Sequence, residues 1–522
     1  MHVGPALQED GVATGFILYD MPYYVANGRE IFERGNGLTY PNPYDATADS
    51  PAIYFHWLLW ILGFCTVKLG IDPGVLFAAT GFVGSLLMAG MTWVLIKSIL
   101  PDQRWRKTLF LLTMWGGGIL CAAKLLINIC TGQLPWNELL AFDTHLGFWA
   151  FSWGRNAIYP TEAVYHFLAI AAWYFAYQRR YWRSIVLAGL LAATHPWSGL
   201  EVLGTFTAFL GMRALVRHTR PAWQVAVSAA LMLSAFFAYN LWYLNLHESH
   251  RAVYDIWHIN WSLGPLTLIF AYLPIGFVAF RAVMSSLNPA DPDNDASEQP
   301  ATNTATPMIT EWQSFLLTCF ACAFVLATHD RFVAHAKQPL HFTRGFVWMP
   351  LCLLALPYLQ RCLNARPRWN ARPALAAALL LIVCCFDNTV FLSQTIHSFA
   401  ARSWNVQTIR STQRDVLDWM DRRRLQGVLA STDEIVGYLS ATYTSVNPFV
   451  GHKFNTPDHD RRKARMERWL AGKQDVQLEQ QIDFVIMKHS ELDSANFGSA
   501  WATAYENEEF VLLAKSRLLA EK

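Results

Sequence analysis

The chain has 522 residues, is 53% hydrophobic and only 15% charged, and sets 41 basic against 39 acidic residues for a formal net charge of +2. Soluble domains carry about 25% charged residues, so the deficit points to several long apolar runs and a polytopic membrane protein, not a soluble one. The near-zero net charge singles out no anionic partner, no nucleic-acid partner is expected, and neither a P-loop nor a Rossmann fingerprint supports a nucleotide-driven reaction.

In chain order, the first distinctive stretch is Gly15–Pro51. Tyr19-Asp20-Met21-Pro22 forms a polar, aromatic turn that runs into an amphipathic helix ending near Arg34. Ile31 and Phe32 are predicted to face lipid or core, and Arg29, Glu30, Glu33 and Arg34 to face water. The apolar run Ile53–Leu69 reads as a re-entrant or juxtamembrane helix on the outer side. Spans, or near-spans, are predicted at Gly74–Leu100, Thr108–Cys130, Ala157–Tyr177, Ala222–Leu244, Leu263–Met284, Trp312–Ala327, Gly345–Leu359 and Ala374–Leu392. Between Ile185 and Val216 lies a helical hairpin broken at Thr194-His195-Pro196-Trp197-Ser198, where Pro and Ser end one half and start the other.

Basic clusters at Arg104/Arg106/Lys107, Arg179/Arg180/Arg183, Arg213/Arg217/Arg220 and Arg361/Arg366/Arg368/Arg372 assign those loops to the cytoplasm. An outer N-terminal loop then needs a preceding span or signal, so a further helix upstream is expected. The nine cysteines lie in or beside apolar runs and form no disulfide or zinc pattern. Past Thr412 the composition becomes that of a soluble domain. Helices are predicted at Gln413–Leu425, Asp433–Ser440 and Arg461–Leu470, and strands at Gly427–Ser431 and Phe484–Met487. The chain therefore divides into an outer loop at 1–73, a transmembrane bundle at 74–285, a disordered cytoplasmic linker at 286–310, the second part of the bundle at 311–393, and a C-terminal extracytoplasmic α/β domain at 405–522.

Three pieces together carry a resemblance: the Asp20 loop with its amphipathic helix and Pro51–Gly70; the many-span body with the break at His195-Pro196; and a tail with Val450-Gly451-His452, Asn455-Thr456-Pro457 and Ile482-Asp483-Phe484-Val485. The chain resembles integral-membrane glycosyltransferases of the GT-C fold, in an uncharacterised bacterial subfamily. The resemblance implies an α-helical polytopic body with a small α/β domain on the outer face of a bacterial inner membrane. It implies transfer of a sugar from a polyprenyl-phosphate carrier to a lipid, glycan or protein acceptor. The alternatives are a transporter or flippase of a polar or lipid-linked solute, and a non-catalytic envelope-assembly protein of similar fold.

Inverting glycosyl transfer needs a base for the acceptor and cations for the departing phosphate. Asp20 is the candidate base; a helix N-cap is the competing reading. The family shows paired acids in this loop, whereas Met21 follows Asp20 here, so Glu9, Asp10 or Asp143 are the candidate second acids. Asp20, Asp143 and His145 are the candidate ligands of a divalent Mg or Mn ion, with a solvated loop as the preferred competing reading. Arg155, Arg331, Lys337 and Arg344 are the candidate phosphate ligands, with interfacial snorkelling as the alternative. Glu162 and His166, four apart on one helical face, and His195 at the break are expected to line the carrier cavity, or to act as a hydrogen-bonded pair and a cap for exposed backbone. His452 in the tail either reaches the active site or shapes a turn.

Overall fold

In the computed structural model the described residues are 10–47, 49–136, 138–151, 153–256, 261–287, 309–364, 372–400, 405–492 and 497–520. Residues 288–308, the body of the expected linker, lie outside them. Among the described residues four helices are long and apolar enough to cross a bilayer: Pro73–Ile99, Pro196–Arg217, Arg220–Leu246 and Pro265–Leu287. Phe82, Leu86, Leu231, Leu273, Phe277 and Phe280 on these helices are exposed, as a lipid-facing surface requires. The protein is a multi-pass membrane protein, and a helical membrane body followed by an α/β domain is the architecture that the resemblance implies.

The chain divides into two compact units. One contains Met1–Thr80, Tyr239–Trp257 and Ile396–Lys522, the other Gly81–Ala238 and His258–Thr395. The expected boundaries separated the head from the tail. In the structure both belong to the first unit, because short strands far apart in sequence join them. Strand β1 (Gly11–Ala13) pairs antiparallel with β2 (Thr408–Arg410), and the Thr14 amide donates to the Gln407 carbonyl at 3.0 Å.

The larger sheet of this unit adds β3 (Gly427–Ser431), β4 (Val446–Pro448), β5 (Phe484–Lys488), β6 (Trp501–Glu506) and β7 (Phe510–Lys515) in the order β4-β3-β5-β7-β6. β3 runs parallel to both β4 and β5, while β7 is antiparallel to β5 and β6. Helices Ser411–Arg422, Glu434–Tyr443 and His459–Leu470 lie close to the predicted ranges. Val485, Met487, Val511 and Leu513 share one apolar cluster with Trp469 and Leu478. β5 and β7 thus read as continuous apolar runs because they are covered on both faces.

The amphipathic helix of the head is Met21–Glu33, with Pro22 in its first turn. It crosses helix Trp57–Gly63 at two glycines. A Cβ on Gly63 would lie 1.8 Å from the Gly28 carbonyl oxygen, so nothing larger fits the crossing. The polar face of Met21–Glu33 does not face water as predicted. Arg29 and Glu30 are buried: Arg29 pairs with Glu33 at 2.8 Å and Asp421 at 3.2 Å, and Glu30 with Arg34 at 2.6 Å. The Asn447 amide donates to Glu30 at 2.8 Å. The head's own Glu33 and Arg34 and the tail's Asp421 and Asn447 supply these polar partners, so the charged face is dry yet compensated.

The second unit departs from expectation at several helices: Glu311–Ala327 is shorter than a span, Pro196–Arg217 is long enough to span where a short hairpin helix was expected, and one predicted span is broken. Thr108–Cys130, predicted as a single helix, is two helices, Arg106–Trp115 and Leu120–Thr131, that meet at 67°. Gly116-Gly117-Gly118 forms the break. A Cβ on Gly118 would fall 2.3 Å from the Phe270 carbonyl oxygen, so the neighbouring chain passes too close for a side chain. The freed backbone groups are satisfied internally. Asp387 accepts from the Leu120 and Cys121 amides at 3.0 and 2.8 Å, and the Asn388 amide donates to the Trp115 and Gly116 carbonyls at 3.0 and 3.1 Å. The expected hairpin break is present between Tyr181–Ala192 and Pro196–Arg217.

Candidate functional site

Asp20 immediately precedes helix Met21–Glu33, where a carboxylate commonly bonds the first free amides. It makes no such bond. Its Oδ1 instead lies 3.0 Å from His452 Nε2. The Asp20 side chain is 64% exposed and that of His452 only 2%, so the imidazole is a fixed post and the carboxylate the reachable group.

The hydrogen on the imidazole is fixed by its other nitrogen. His452 Nδ1 accepts from the Phe454 backbone amide at 3.2 Å and stands 2.9 Å from the Asn455 side-chain nitrogen. A nitrogen that accepts from a backbone N–H carries no hydrogen of its own, so Nε2 holds it and donates to Asp20. Among the described residues Asp20 Oδ2 has no hydrogen-bond partner.

Four tyrosines pack round this imidazole, with ring centroids of Tyr19, Tyr438, Tyr23 and Tyr44 at 4.8, 5.3, 5.4 and 5.8 Å. The Tyr438 hydroxyl donates to the Tyr19 carbonyl, and the Tyr23 amide donates to the Tyr438 hydroxyl at 3.3 Å. Burial, with the nearby tyrosines and Asp20 adding to it, pushes the Tyr438 phenol well above its ordinary range. Burial likewise raises Tyr23, with the Asn27 side chain pulling back. These phenols stay protonated, so the cage is neutral and holds its shape across physiological pH.

The second unit assembles three of the other predicted residues. Glu162 lies 3.1 Å from Arg155 and 3.0 Å from Arg344. All three side chains are buried. Both guanidinium groups lie over the Trp149 ring, each 4.5 Å from its centroid, and Arg155 also faces Tyr159 at 4.8 Å. Arg344 donates to the Tyr165 hydroxyl and approaches His341 Nδ1 at 2.7 Å. Burial, then the positive charge of Arg344, with His195 and Arg155 acting in the same direction, holds His341 well below the ordinary imidazole range, so it accepts from Arg344 as a neutral ring. Two cations share one carboxylate here, and Arg155 Nε has no partner among the described residues.

No family model matches the chain, and no curated protein matches it. Among solved structures it is similar to ArnT from Cupriavidus metallidurans in the apo state, at 13% identity and TM-score 0.43, over 96% of this chain and 95% of that one. It is also similar to ArnT from the same organism bound to undecaprenyl phosphate, at 12% identity and TM-score 0.43, over 95% and 93%. The likeness lies in the course of the chain as a whole, and the reading of the site rests on the side chains described above.

The remaining predicted residues have other surroundings. Glu9 lies outside the described residues, and Asp10 is exposed at the start of β1, where its carbonyl accepts from the Ser411 amide. Asp143 has both oxygens engaged: Oδ2 by the Leu266 amide at 2.7 Å, Oδ1 by the Thr267 hydroxyl at 2.6 Å. Burial opposes its ionisation, but these donors outweigh it and hold the carboxyl below the usual range. It therefore starts helix Pro265–Leu287 and is not a free metal ligand. His145 is exposed, and among the described residues no group of three His, Cys, Asp or Glu stands ready for a metal.

Arg331 donates to the Leu263 carbonyl at 3.3 Å and is exposed, and the Lys337 backbone amide donates to His329 at 3.0 Å. Neither has an ion pair with Glu162. His166 Nδ1 lies 2.7 Å from the Glu162 carbonyl, and its Nε2 lies 2.8 Å from the Arg344 carbonyl and 3.1 Å from the Asn156 side-chain nitrogen, so the ring sits against the backbone under the cluster. His195 caps helix Pro196–Arg217, accepting from the Ser198 amide at 3.2 Å, and stacks on Tyr165 at 4.6 Å. Sequence reasoning overlooked Trp149 and Tyr438, named Asn455 only as part of the tail motif, and gave His452 no firm role. The pairing of Gly451-His452 with Asn455 three residues on was the available signal.

Proposed function

We propose that the protein is a membrane glycosyltransferase that moves a sugar from a polyprenyl-phosphate carrier to an acceptor hydroxyl on the outer face of the membrane. Asp20 is the general base. It takes the acceptor proton as the acceptor oxygen bonds to the anomeric carbon and the bond from that carbon to the carrier phosphate breaks. His452 is a positioning residue that holds the carboxylate through Oδ1. In the second unit, Arg155 and Arg344 are the proposed ligands of the carrier's phosphate, a task that suits forked guanidinium groups. The reading is supported by one observation above the rest: the carboxylate before helix Met21–Glu33 leaves that helix uncapped and is held by a buried imidazole instead.

The test uses purified protein in liposomes with a panel of polyprenyl-phosphate sugars and follows loss of sugar from the carrier by mass spectrometry. Asp20→Asn is expected to reduce transfer by about 10²-fold or more, the ordinary range for removal of a general base, with unchanged thermal unfolding. Wild-type rates in the folded variant would discard the assignment.

A further inference from the structure

The first unit holds a groove of about 1130 Å³ for which the mechanism above has no use. Its end wall is the carboxyl edge of the parallel strands: Ser431 and Thr432 follow from β3, and Met487 lies in β5. The chain leaves β3 for β4 on one side and returns to β5 on the other, so this edge is a topological switch point, where open α/β sheets bind their ligands.

The lining combines an apolar floor with a hydroxyl-bearing wall and an acidic rim. Tyr19 is 40% exposed, and its hydroxyl is tethered by the Lys453 amide at 3.0 Å. Its inner side packs on Tyr438, centroids 4.8 Å apart. That leaves a rigid aromatic plate. Thr432 Oγ1 has no partner among the described residues. On the rim, Glu434, Asp460, Glu467 and Glu491 outnumber Lys453 and Lys463, and Lys463 is already paired with Glu434. Such a rim repels phosphates and other anions. The volume exceeds the roughly 300–1,000 Å³ of a drug-sized pocket. Two lining residues, Tyr19 and Gly451, are the chain neighbours of Asp20 and His452.

We infer that this groove is the binding site for an uncharged oligosaccharide, the acceptor of the transfer, which stacks a sugar ring on Tyr19 and leads its hydroxyl to Asp20. The binding site stands on the groove's own lining; its role as the acceptor site rests on the transferase reading.

The test is binding of the purified full-length protein to an array of neutral, anionic and amine-bearing oligosaccharides. Neutral oligosaccharides are expected to bind and anionic ones to be rejected. Ala471→Trp places an indole in the groove from an exposed helix end and is expected to weaken binding at least about tenfold, a change of about 1.4 kcal/mol, without altering the melting temperature. Tyr19→Ala should weaken it similarly and Tyr19→Phe much less. No binding of any neutral oligosaccharide, capture of anionic ones alone, or unchanged binding by the folded Ala471→Trp protein would overturn the inference. Asp20→Asn separates the two ideas. Full transfer by that variant removes Asp20 as the base, and no transfer by the wild-type protein removes the transferase reading; either leaves the binding result standing, whereas transfer lost only in the variant, with binding retained, supports both.

Discussion

Asp20 and Glu162 are both carboxylates with a partner about 3 Å away, and they have opposite capacities. Glu162 is buried between two guanidinium groups that occupy one oxygen each. It is a counter-ion, and protonating it would take away the charge that both buried cations face. Asp20 is mostly exposed, is held through one oxygen by a neutral donor, and presents the other to solvent. Only the second arrangement leaves a lone pair for a substrate proton. A cationic cluster wants an anion and an oriented carboxylate wants a hydroxyl, so the two acids suit different ligands.

The contrast can be broken most forcefully at the buried acid. Glu162→Gln removes the counter-charge that Arg155 and Arg344 share and is expected to cost about 3–5 kcal/mol, the range for a broken buried pair. Thermal unfolding in detergent checks this, and added polyprenyl phosphate should restore much of the loss by supplying the missing anion. A variant as stable as wild type would show that the cluster is not charge-limited. Next comes the support of the exposed acid. Gly63→Ala drives a methyl into the Gly28 carbonyl and should destabilise the first unit by about 1–3 kcal/mol, as overpacking does, seen as a lower melting temperature.

A smaller effect sharpens the role of the imidazole. His452→Gln keeps a donor and loses the rigid ring. Transfer should fall about tenfold, or about 1.4 kcal/mol, in kcat with KM for the carrier unchanged; a change confined to KM would assign His452 to binding. The smallest effect lies away from both acids. Asp475 caps helix Val476–Gln481 and pairs with Arg465 at 2.7 Å; the Arg465 hydrogen bond first, then the Leu478 amide, lowers its carboxyl to about 2. A depressed carboxyl stabilises the fold above its unfolded value near 4 and loses that contribution as the pH falls toward 2. Asp475→Asn should therefore lower stability at neutral pH by about 1 kcal/mol or less at this partly exposed site, and the deficit should vanish near pH 2.

Much of the fold was legible because it follows from local pattern. The helices and two strands of the tail have clear periodicity, and Pro196 with Ser198 marked the hairpin break. What was missed depends on distant pairing. The β1–β2 strands are three residues each and recognise one another across almost four hundred residues. Arg29 and Glu30 look like a solvated face until the tail covers them. Gly116-Gly117-Gly118 sits in a run apolar enough to pass as one helix, and its break is set by the approach of Phe270 and by Asp387, which reads on its own as a stray mid-span charge. At the site, Asp20, Arg155, Arg344 and Glu162 were legible as chemistry-bearing residues. Their partners were not, since nothing local to Asp20 points to His452, and nothing local to Asp143 shows that its oxygens are spent on Leu266 and Thr267.

The central claim is that Asp20 takes the acceptor proton in the transfer step. Single-turnover transfer by Asp20→Asn, with carrier-linked sugar prebound and acceptor added at saturation, isolates that step from binding. The account predicts that the variant binds carrier as tightly as wild type and transfers at least about 10²-fold more slowly. A single-turnover rate equal to that of the wild type would contradict it.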